Sequence, residues 1–143
     1  LSVEDSDQPG LNDMVRIYCD DGKGFREGLK YSSEFAGLSG AITIPIDHAC
    51  RALRIAPIKN TRIPKGSVLD INIGALEVDS DQRTWTASEL KLDGSSGLSF
   101  VDETHFSATQ DSAFLDYSVG IEPVHIKAVK MKMSFVWRKL KSP

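Results

Sequence analysis

The glycine-rich stretch CDDGKGFREGLKY, residues 19–31, is the strongest candidate for a chemical site in this sequence. Its glycines at positions 22, 24 and 28 give a G-x-G-x-x-x-G pattern, one residue longer than a dinucleotide-binding fingerprint. That fingerprint holds a pyrophosphate only where a strand precedes it and a helix follows, since the helix N-terminus supplies free amides. The residues after Gly24 have no apolar helical stripe, and the Lys-Ser/Thr pair of a P-loop is missing. We therefore interpret Asp21-Gly22 as a tight turn between two strands, with Phe25 anchoring its far side.

The residue types that usually carry catalysis are present but scattered. No G-x-S-x-G nucleophile elbow occurs, and the three histidines lack zinc-binding spacing. Asp79-Ser80-Asp81 matches the D-x-D that holds a metal and a sugar nucleotide in many glycosyltransferases, but that motif acts at the edge of a nucleotide-binding α/β domain. In a strand-rich chain we interpret it as a solvated turn. No feature selects a pair of carboxylates for glycoside hydrolysis, so we predict that the domain is not an enzyme.

Metal binding is the one cofactor question that the sequence leaves open. Sugar-binding β-sandwiches often hold a structural Ca²⁺ through loop carboxylates and carbonyl oxygens. The stretches at 20–22 and 79–81 could donate such oxygens, although neither has the spacing of an EF-hand. We predict no cofactor, with a structural calcium as the alternative.

Carbohydrate binding requires flat aromatic surface for the sugar ring and a few polar groups for its hydroxyls. The chain offers six Phe, three Tyr and two Trp. On a two-residue period Trp85 shares its face with Arg83, which makes it a candidate platform, with a place in the core as the alternative. Tyr18 and Tyr117 are candidates for lining a groove. Trp137 shares its phase with apolar neighbours, so we expect it in the core.

The elements that must position these residues are β-strands. Strand-like apolar alternation recurs in seven segments, at 14–20, 41–46, 51–58, 67–76, 83–92, 112–119 and 124–137. The alternation changes phase near Ala128, which predicts a β-bulge. No window predicts a long helix, and 48–52 is the best short helical candidate. Strands separated by turn residues at this spacing predict an all-β fold, an antiparallel β-sandwich or jelly roll.

Length and charge indicate one domain without a nucleic-acid partner. The 143 residues suit a single domain, which we place at 14–139, after a flexible acidic lead-in at 1–13 and before a tail or linker at 140–143. Four of the 20 acids and none of the 17 bases lie in the lead-in, so the remaining body is near neutral. A nucleic-acid binder needs a basic face. No apolar run approaches the ~18 residues of a membrane span.

The two cysteines, Cys19 and Cys50, leave two readings open. Buried thiols that behave as small apolar side chains are the preferred interpretation. Disulfide-dense secreted scaffolds carry more cysteines, and a single Cys19–Cys50 bridge is the alternative.

Two stretches together resemble a β-sandwich module attached to bacterial glycosyltransferases that build surface polysaccharides. The first is Y-x-D-D-G-K-G-F-R-E, residues 18–27, and the second is A-L-R-I-A-P-I, residues 52–58. The family pattern has an aromatic–Asp–x-Gly-x-Gly-Phe–x-Glu stretch, an alternating strand, and then Arg-(Ile/Phe)-Asp-Pro. The resemblance spans about 14–137 and departs at Ala56, where the pattern prefers Asp. The matching positions are Tyr18, Asp21, Gly22, Gly24, Phe25, Glu27, Leu53, Arg54, Ile55 and Pro57, followed by Phe114, Leu115, Asp116 and the strand ending in Trp137.

The resemblance implies a non-catalytic accessory module, jelly-roll in shape and similar to carbohydrate-binding modules. It would belong to a larger glycosyltransferase in lipopolysaccharide or cell-wall glycan biosynthesis. Its expected partners are a glycan or polysaccharide and the neighbouring catalytic domain of the parent chain. The expected location is cytoplasmic, with the parent protein holding the module at the inner face of the membrane. Because the chain starts at Leu1, we also expect it to be a piece of a longer protein.

Arg54 has two possible roles, one structural and one in ligand binding. It lies between Leu53 and Ile55, so it should point away from the core, where it could pair with Asp21 or Glu27 and pin the turn. It could instead contact a ligand, together with Trp85, Tyr18 and Tyr117. The alternative function is a structural or interaction domain that packs on a catalytic domain or oligomerises without binding sugar. That alternative predicts buried tryptophans and an exposed apolar patch.

Overall fold

A computed structural model describes residues 12–59, 61–100, 105–110 and 113–139. These residues form eleven β-strands and one short 3-10 turn at Glu27–Leu29. The strands make two antiparallel sheets that pack face to face. The predicted all-β sandwich is therefore confirmed. The described residues contain no helix of the length and apolar composition that crossing a membrane requires.

One sheet, called the front sheet below, has five strands in the order β2-β1-β4-β10-β7. Their bounds are β1 Asn12–Asp20, β2 Lys30–Ala36, β4 Ala52–Ala56, β7 Lys91–Ser96 and β10 Phe114–Ser118. The other, the back sheet, has the order β3-β11-β5-β9-β8, with β6 paired to β5. Its bounds are β3 Ser39–Cys50, β5 Ser67–Ser80, β6 Thr84–Thr86, β8 Leu98–Phe100, β9 His105–Ala108 and β11 Val124–Lys139.

The core lies between the sheets because each long strand alternates apolar and polar residues. Ile17, Leu53 and Leu115 point inward from the front sheet and are almost fully buried. Phe135 of β11 packs edge-on against Phe35 of β2, with ring centroids 5.3 Å apart. Trp137 is buried on the same phase of β11, as predicted; the remaining core residues from the back sheet include Ile71, Phe106, Met131 and Met133.

The two cysteines form a disulfide, so the preferred interpretation of two thiols is wrong. Cys19 ends the inward row of β1 and Cys50 ends β3, with their Cα atoms 5.5 Å apart. Both are fully buried. The bond links the front sheet to the back sheet. The spacing of the cysteines in the sequence does not predict it, because the bond depends on how close the ends of β1 and β3 lie in the folded domain.

Two bulges interrupt the back sheet. The pairing of β11 shifts register between Ile126 and Ala128, which confirms the predicted bulge near Ala128. A second shift, between Lys130 and Lys132, lies opposite Ala75 of β5. Ala75 has φ +49°, a left-handed conformation that is costly for a residue with a Cβ.

The remaining differences from the sequence prediction are local. The short helix expected at 48–52 is wrong, because β3 continues to Cys50 and β4 begins at Ala52. Strands β2, β8 and β9 were not among the predicted segments. The segment at 83–92 splits into β6 and the start of β7, with a turn between them. The predicted acidic lead-in at 1–13 lies outside the described residues except for Asn12 and Asp13, which belong to β1, and the predicted tail at 140–143 lies wholly outside them.

Candidate functional site

A stacked arginine occupies the outer face of the front sheet. The Arg54 guanidinium lies 4.5 Å from the ring centroid of Phe25 and 3.9 Å from that of Phe114. Its Nε and Nη2 donate to Asp116 Oδ1 and Oδ2 at 2.7 and 3.0 Å. Two parallel hydrogen bonds to one carboxylate are the strong, geometrically specific form of an Arg–Asp pair. Arg54 is therefore held in two ways: Asp116 forms an ion pair with the guanidinium, and the rings of Phe25 and Phe114 contact it.

Tyr18 lies directly beside Arg54 and belongs to a second polar network. The two residues are register partners across β1 and β4. Arg16 Nη1 donates to the Tyr18 hydroxyl at 3.3 Å, and that hydroxyl donates to Glu27 Oε1 at 3.4 Å. Lys30 Nζ lies 2.8 Å from Glu27 Oε2, and this contact lowers the pKa of Glu27.

These side chains form one row across four neighbouring strands. Lys30 faces Tyr18, Tyr18 faces Arg54, and Arg54 faces Asp116. Cross-strand neighbours on one face approach within about 5 Å. We call the row, together with Arg16, Phe25, Glu27 and Phe114, the front cluster.

The 21–29 loop brings Phe25 and Glu27 onto this face. Asp20 Oδ1 accepts hydrogen bonds from the amides of Gly22 and Gly24 at 2.8 and 2.9 Å, and Oδ2 lies 3.3 Å from Arg51 Nε. Gly22 and Gly24 both have positive φ, which only glycine adopts cheaply. Burial opposes ionisation of Asp20, but these amide hydrogen bonds and Arg51 outweigh it and lower its pKa. The tight turn expected at Asp21-Gly22 is instead a longer connection that Asp20 organises.

Arg54 does not pair with either acid that the sequence suggested. Asp21 takes both of its hydrogen bonds from Arg26, at 3.0 Å each, and Glu27 takes the ammonium of Lys30. Asp116 is the partner because β10 lies next to β4, a neighbour relation between strands about sixty residues apart in sequence. The part of the expectation that placed Arg54 away from the core agrees with its intermediate exposure.

The structure brings together only two of the four predicted contact residues. Tyr18 and Arg54 are adjacent, but Tyr117 points to the other side of β10, into the core, and is 6% exposed. Burial raises the pKa of its hydroxyl. A ligand on the outer face therefore cannot reach Tyr117, and this residue is withdrawn from the candidate set.

Trp85 lies on the other sheet. It is the register partner of the buried Val78 and packs partly against the core. The Arg83 guanidinium lies 5.1 Å from its ring centroid, and Arg83 also pairs with Glu89. Trp85 thus contributes to the edge of the back sheet and takes no part in the front cluster.

Selection by aromatic exposure missed several members of the front cluster. Phe25, Phe114 and Asp116 were not among the four predicted contact residues, and neither was Arg16. Alternation places Arg16 on the same face as Tyr18, and Phe114 on the same face as Asp116. Only the strand order places these pairs side by side.

The carboxylates considered for calcium are already engaged by protein donors. Asp79 accepts from Thr84 and lies 3.1 Å from Lys130 Nζ, while Asp81 lies 3.1 Å from His125 Nδ1 and 3.7 Å from Lys127 Nζ. Asp20 and Asp21 are held as described above. In the parts of the chain that the structure describes, no three His, Cys, Asp or Glu side chains converge in a way that could hold a metal ion.

Comparison with known proteins adds no relative. No family model, no curated protein and no solved structure matches this chain.

Proposed function

We propose that this domain is a non-catalytic carbohydrate-binding module that recognises glycan through the front cluster. The observation that carries the proposal is the row of Lys30, Tyr18, Arg54 and Asp116 on one sheet face. Partly exposed aromatic rings interleaved with planar donors and acceptors are the surface that sugar rings and hydroxyls require. The parent, on this proposal, is a glycosyltransferase that builds a bacterial surface polysaccharide.

The way the resembling stretches meet supports this proposal. Phe25, Arg54, Phe114 and Asp116 come from three distant parts of the chain, and all belong to the positions that match the family pattern. Because these residues contact one another as well as matching the pattern, they support a single binding site. The Arg54–Asp116 fork holds the face in place, while the half-buried Tyr18 and the exposed side chain of Glu27 lie at the surface beside it.

The disulfide bears on the location of the domain. Disulfides persist in oxidising compartments and are rare in the cytosol. A fully buried Cys19–Cys50 bond between the two sheets favours an extracytoplasmic setting over the cytoplasmic one that the resemblance implies. We therefore propose that the module meets its glycan after export, on the outer side of the membrane.

The test is a titration of the isotope-labelled domain with bacterial surface glycans and their component sugars, followed by amide chemical shifts. We expect saturable shifts at Tyr18, Phe25 and Arg54. Shifts absent from these residues across the whole panel would contradict the proposal. The same spectra, recorded before and after reduction, would report whether the face depends on the disulfide.

A second candidate function, an interaction domain that binds no sugar, is favoured by a different observation. Of the two tryptophans that this function expects to be buried, Trp137 is buried and Trp85 is partly buried, while Leu38 and Val136 are 42% and 59% exposed. Leu38 and Val136 lie near each other, since Phe135 donates its amide to the Leu38 carbonyl at 2.8 Å. If this apolar pair is a contact surface, the domain should self-associate in sedimentation experiments and Val136→Asp should abolish the association.

A further inference from the structure

A groove crosses the outer face of the back sheet, on the side of the molecule opposite the front cluster. It runs over β3, β11 and β5 and encloses about 350 Å³. Small residues form it, because Gly40, Ala41, Gly74 and Ser134 leave the backbone exposed between longer neighbours. Ligand pockets begin at about 300 Å³, so the groove has room for one sugar unit.

Lys132 is the charged group of the groove, and no described carboxylate pairs with its ammonium. The bases before and after it on the same face of β11 each meet a carboxylate of β5: Lys130 lies 3.1 Å from Asp79, and Arg138 lies 2.9 Å from Asp70. Lys132 instead faces Ala41 on one side and Gly74 on the other. Within the described part of the chain it has no ion-pair partner.

The bulge at Ala75 creates this unpaired position. The register shift places Lys130 opposite Glu77 and Lys132 opposite Gly74, with one extra residue on β5 between them. The shift requires φ +49° at Ala75, a conformation that costs a non-glycine residue energy. Backbone strain of this kind is concentrated at functional sites.

Asn72 supplies a second polar group. Its Nδ2 lies 2.9 Å from His105 Nε2, which fixes the orientation of the amide. Its Oδ1 is directed towards Gly74, since a Cβ built at that glycine would lie 3.7 Å from it. The groove therefore has a cation, a fixed hydrogen-bond acceptor, and a floor of small side chains.

We propose that this groove binds the carboxylate-bearing sugar of an acidic glycan. The Lys132 ammonium pairs with the sugar carboxylate, Asn72 Oδ1 accepts from a ring hydroxyl, and the floor at Ala41 and Gly74 meets the C–H face of the ring. The choice of a sugar rests on the proposed function, but the site lies on the other sheet and does not use Tyr18 or Arg54.

The test compares methyl glucuronoside with methyl glucoside as probes, followed by amide shifts of the labelled domain. We expect saturable shifts at Ala41, Gly74 and Lys132 with the uronoside, and binding about tenfold weaker with the glucoside, because one charge-assisted contact is lost. Lys132→Gln should weaken uronoside binding by about the same factor. Lys130→Gln is the matched control, since it removes the same charge two residues away and should leave the affinity unchanged.

A substitution that fills the groove gives an independent test of uronoside binding there. Gly74 lies in ordinary strand conformation, and a Cβ there meets only ordinary contacts, at 3.7 and 3.9 Å. Gly74→Val should therefore fold and lose the uronoside shifts. The inference is overturned if the uronoside gives no saturable shifts in the groove, or if Lys130→Gln weakens binding as much as Lys132→Gln. Shifts at the front cluster alone would overturn it while leaving the proposed function intact. Shifts in the groove, with the front cluster silent across the whole glycan panel, would support the groove and contradict recognition by the front cluster.

Discussion

Arg54 and Asp116 face each other across β4 and β10 and are joined by two hydrogen bonds, of 2.7 and 3.0 Å, and the Arg54 guanidinium lies over the rings of Phe25 and Phe114. Both side chains are mostly shielded, with 30% and 19% of their surface exposed. One ion pair thus connects the central strands of the front sheet and also anchors the loop that carries Phe25. Removing it should disturb stability and the binding face together.

Arg54→Lys tests the fork and the stacking at once. Lysine keeps the charge but can neither bond Asp116 through two parallel N–H groups nor stack a planar group between two rings. We expect the free energy of unfolding to fall by about 1–3 kcal/mol, measured by urea denaturation. Arg51→Lys is the control, because Arg51 makes a single side-chain contact with Asp20 and is itself more exposed than Arg54, so its replacement should cost less. Equal losses in the two variants would contradict a special role for Arg54.

Removal of the disulfide should destabilise the domain strongly. The bond closes a loop between cysteines 31 residues apart and links the two sheets. We expect the Cys19→Ala/Cys50→Ala variant to lose about 2–4 kcal/mol of unfolding free energy. The wild type in a reducing buffer should lose a similar amount, whereas the variant should not respond to reductant. A wild type whose denaturation midpoint ignores reductant would contradict the disulfide.

The lowered pKa of Asp20 predicts that the domain loses stability in acid. Its pKa is lowered from the ordinary 3.8, since the Gly22 and Gly24 amides and Arg51 together outweigh burial. The carboxylate therefore stabilises the fold fully at neutral pH, and this contribution disappears as the pH falls through 3.8 towards the folded-state pKa. Asp20→Asn should be less stable than the wild type at pH 7, and the difference should shrink in acid. Denaturation curves at both pH values would check this, and a deficit independent of pH would contradict it.

Ala75→Gly should stabilise the protein. Alanine at φ +49° is strained, and glycine adopts this conformation freely, so we expect a gain of up to about 1 kcal/mol. The opposite sign is expected for Ala41→Gly, since Ala41 lies in β3 without a positive φ, and glycine in a strand costs about 0.5–1 kcal/mol. Thermal or urea unfolding of both variants would measure the two shifts. A loss of stability in Ala75→Gly would show that the bulge is not strained.

Apolar alternation predicted the sandwich and the strands that contribute most to its core. It worked best where strands are long and one face is buried, as in β5 and β11, and it placed the bulge at Ala128 because a bulge changes the phase of the pattern. It failed at β2, where only Phe35 is buried, and at the short edge strand β8. These two edge strands bury little and therefore carry a weak pattern.

The candidate site was predicted only in part, because its contacts depend on strand order. Tyr18 and Arg54 could be placed on an outward face from their own strands, but the pairing of Arg54 with Asp116 requires β10 to lie beside β4. Tyr117 was assigned to a groove from its residue type, whereas its position one residue after Asp116 places it in the core. The Cys19–Cys50 bond likewise depends on how the two sheets meet.

The most direct test of the central claim is the affinity of the domain for the glycan that shifts the front-cluster amides, measured by calorimetry for wild type and Tyr18→Ala. The variant loses both the aromatic ring that stacks on the sugar and the hydroxyl that contacts it. We therefore expect it to bind the glycan at least about tenfold more weakly than the wild type. Thr43→Ala, at an exposed position of β3 on the other sheet, is the control and should bind as the wild type does. Equal affinity of Tyr18→Ala and wild type, in a variant with unchanged stability, would contradict glycan recognition by the front cluster.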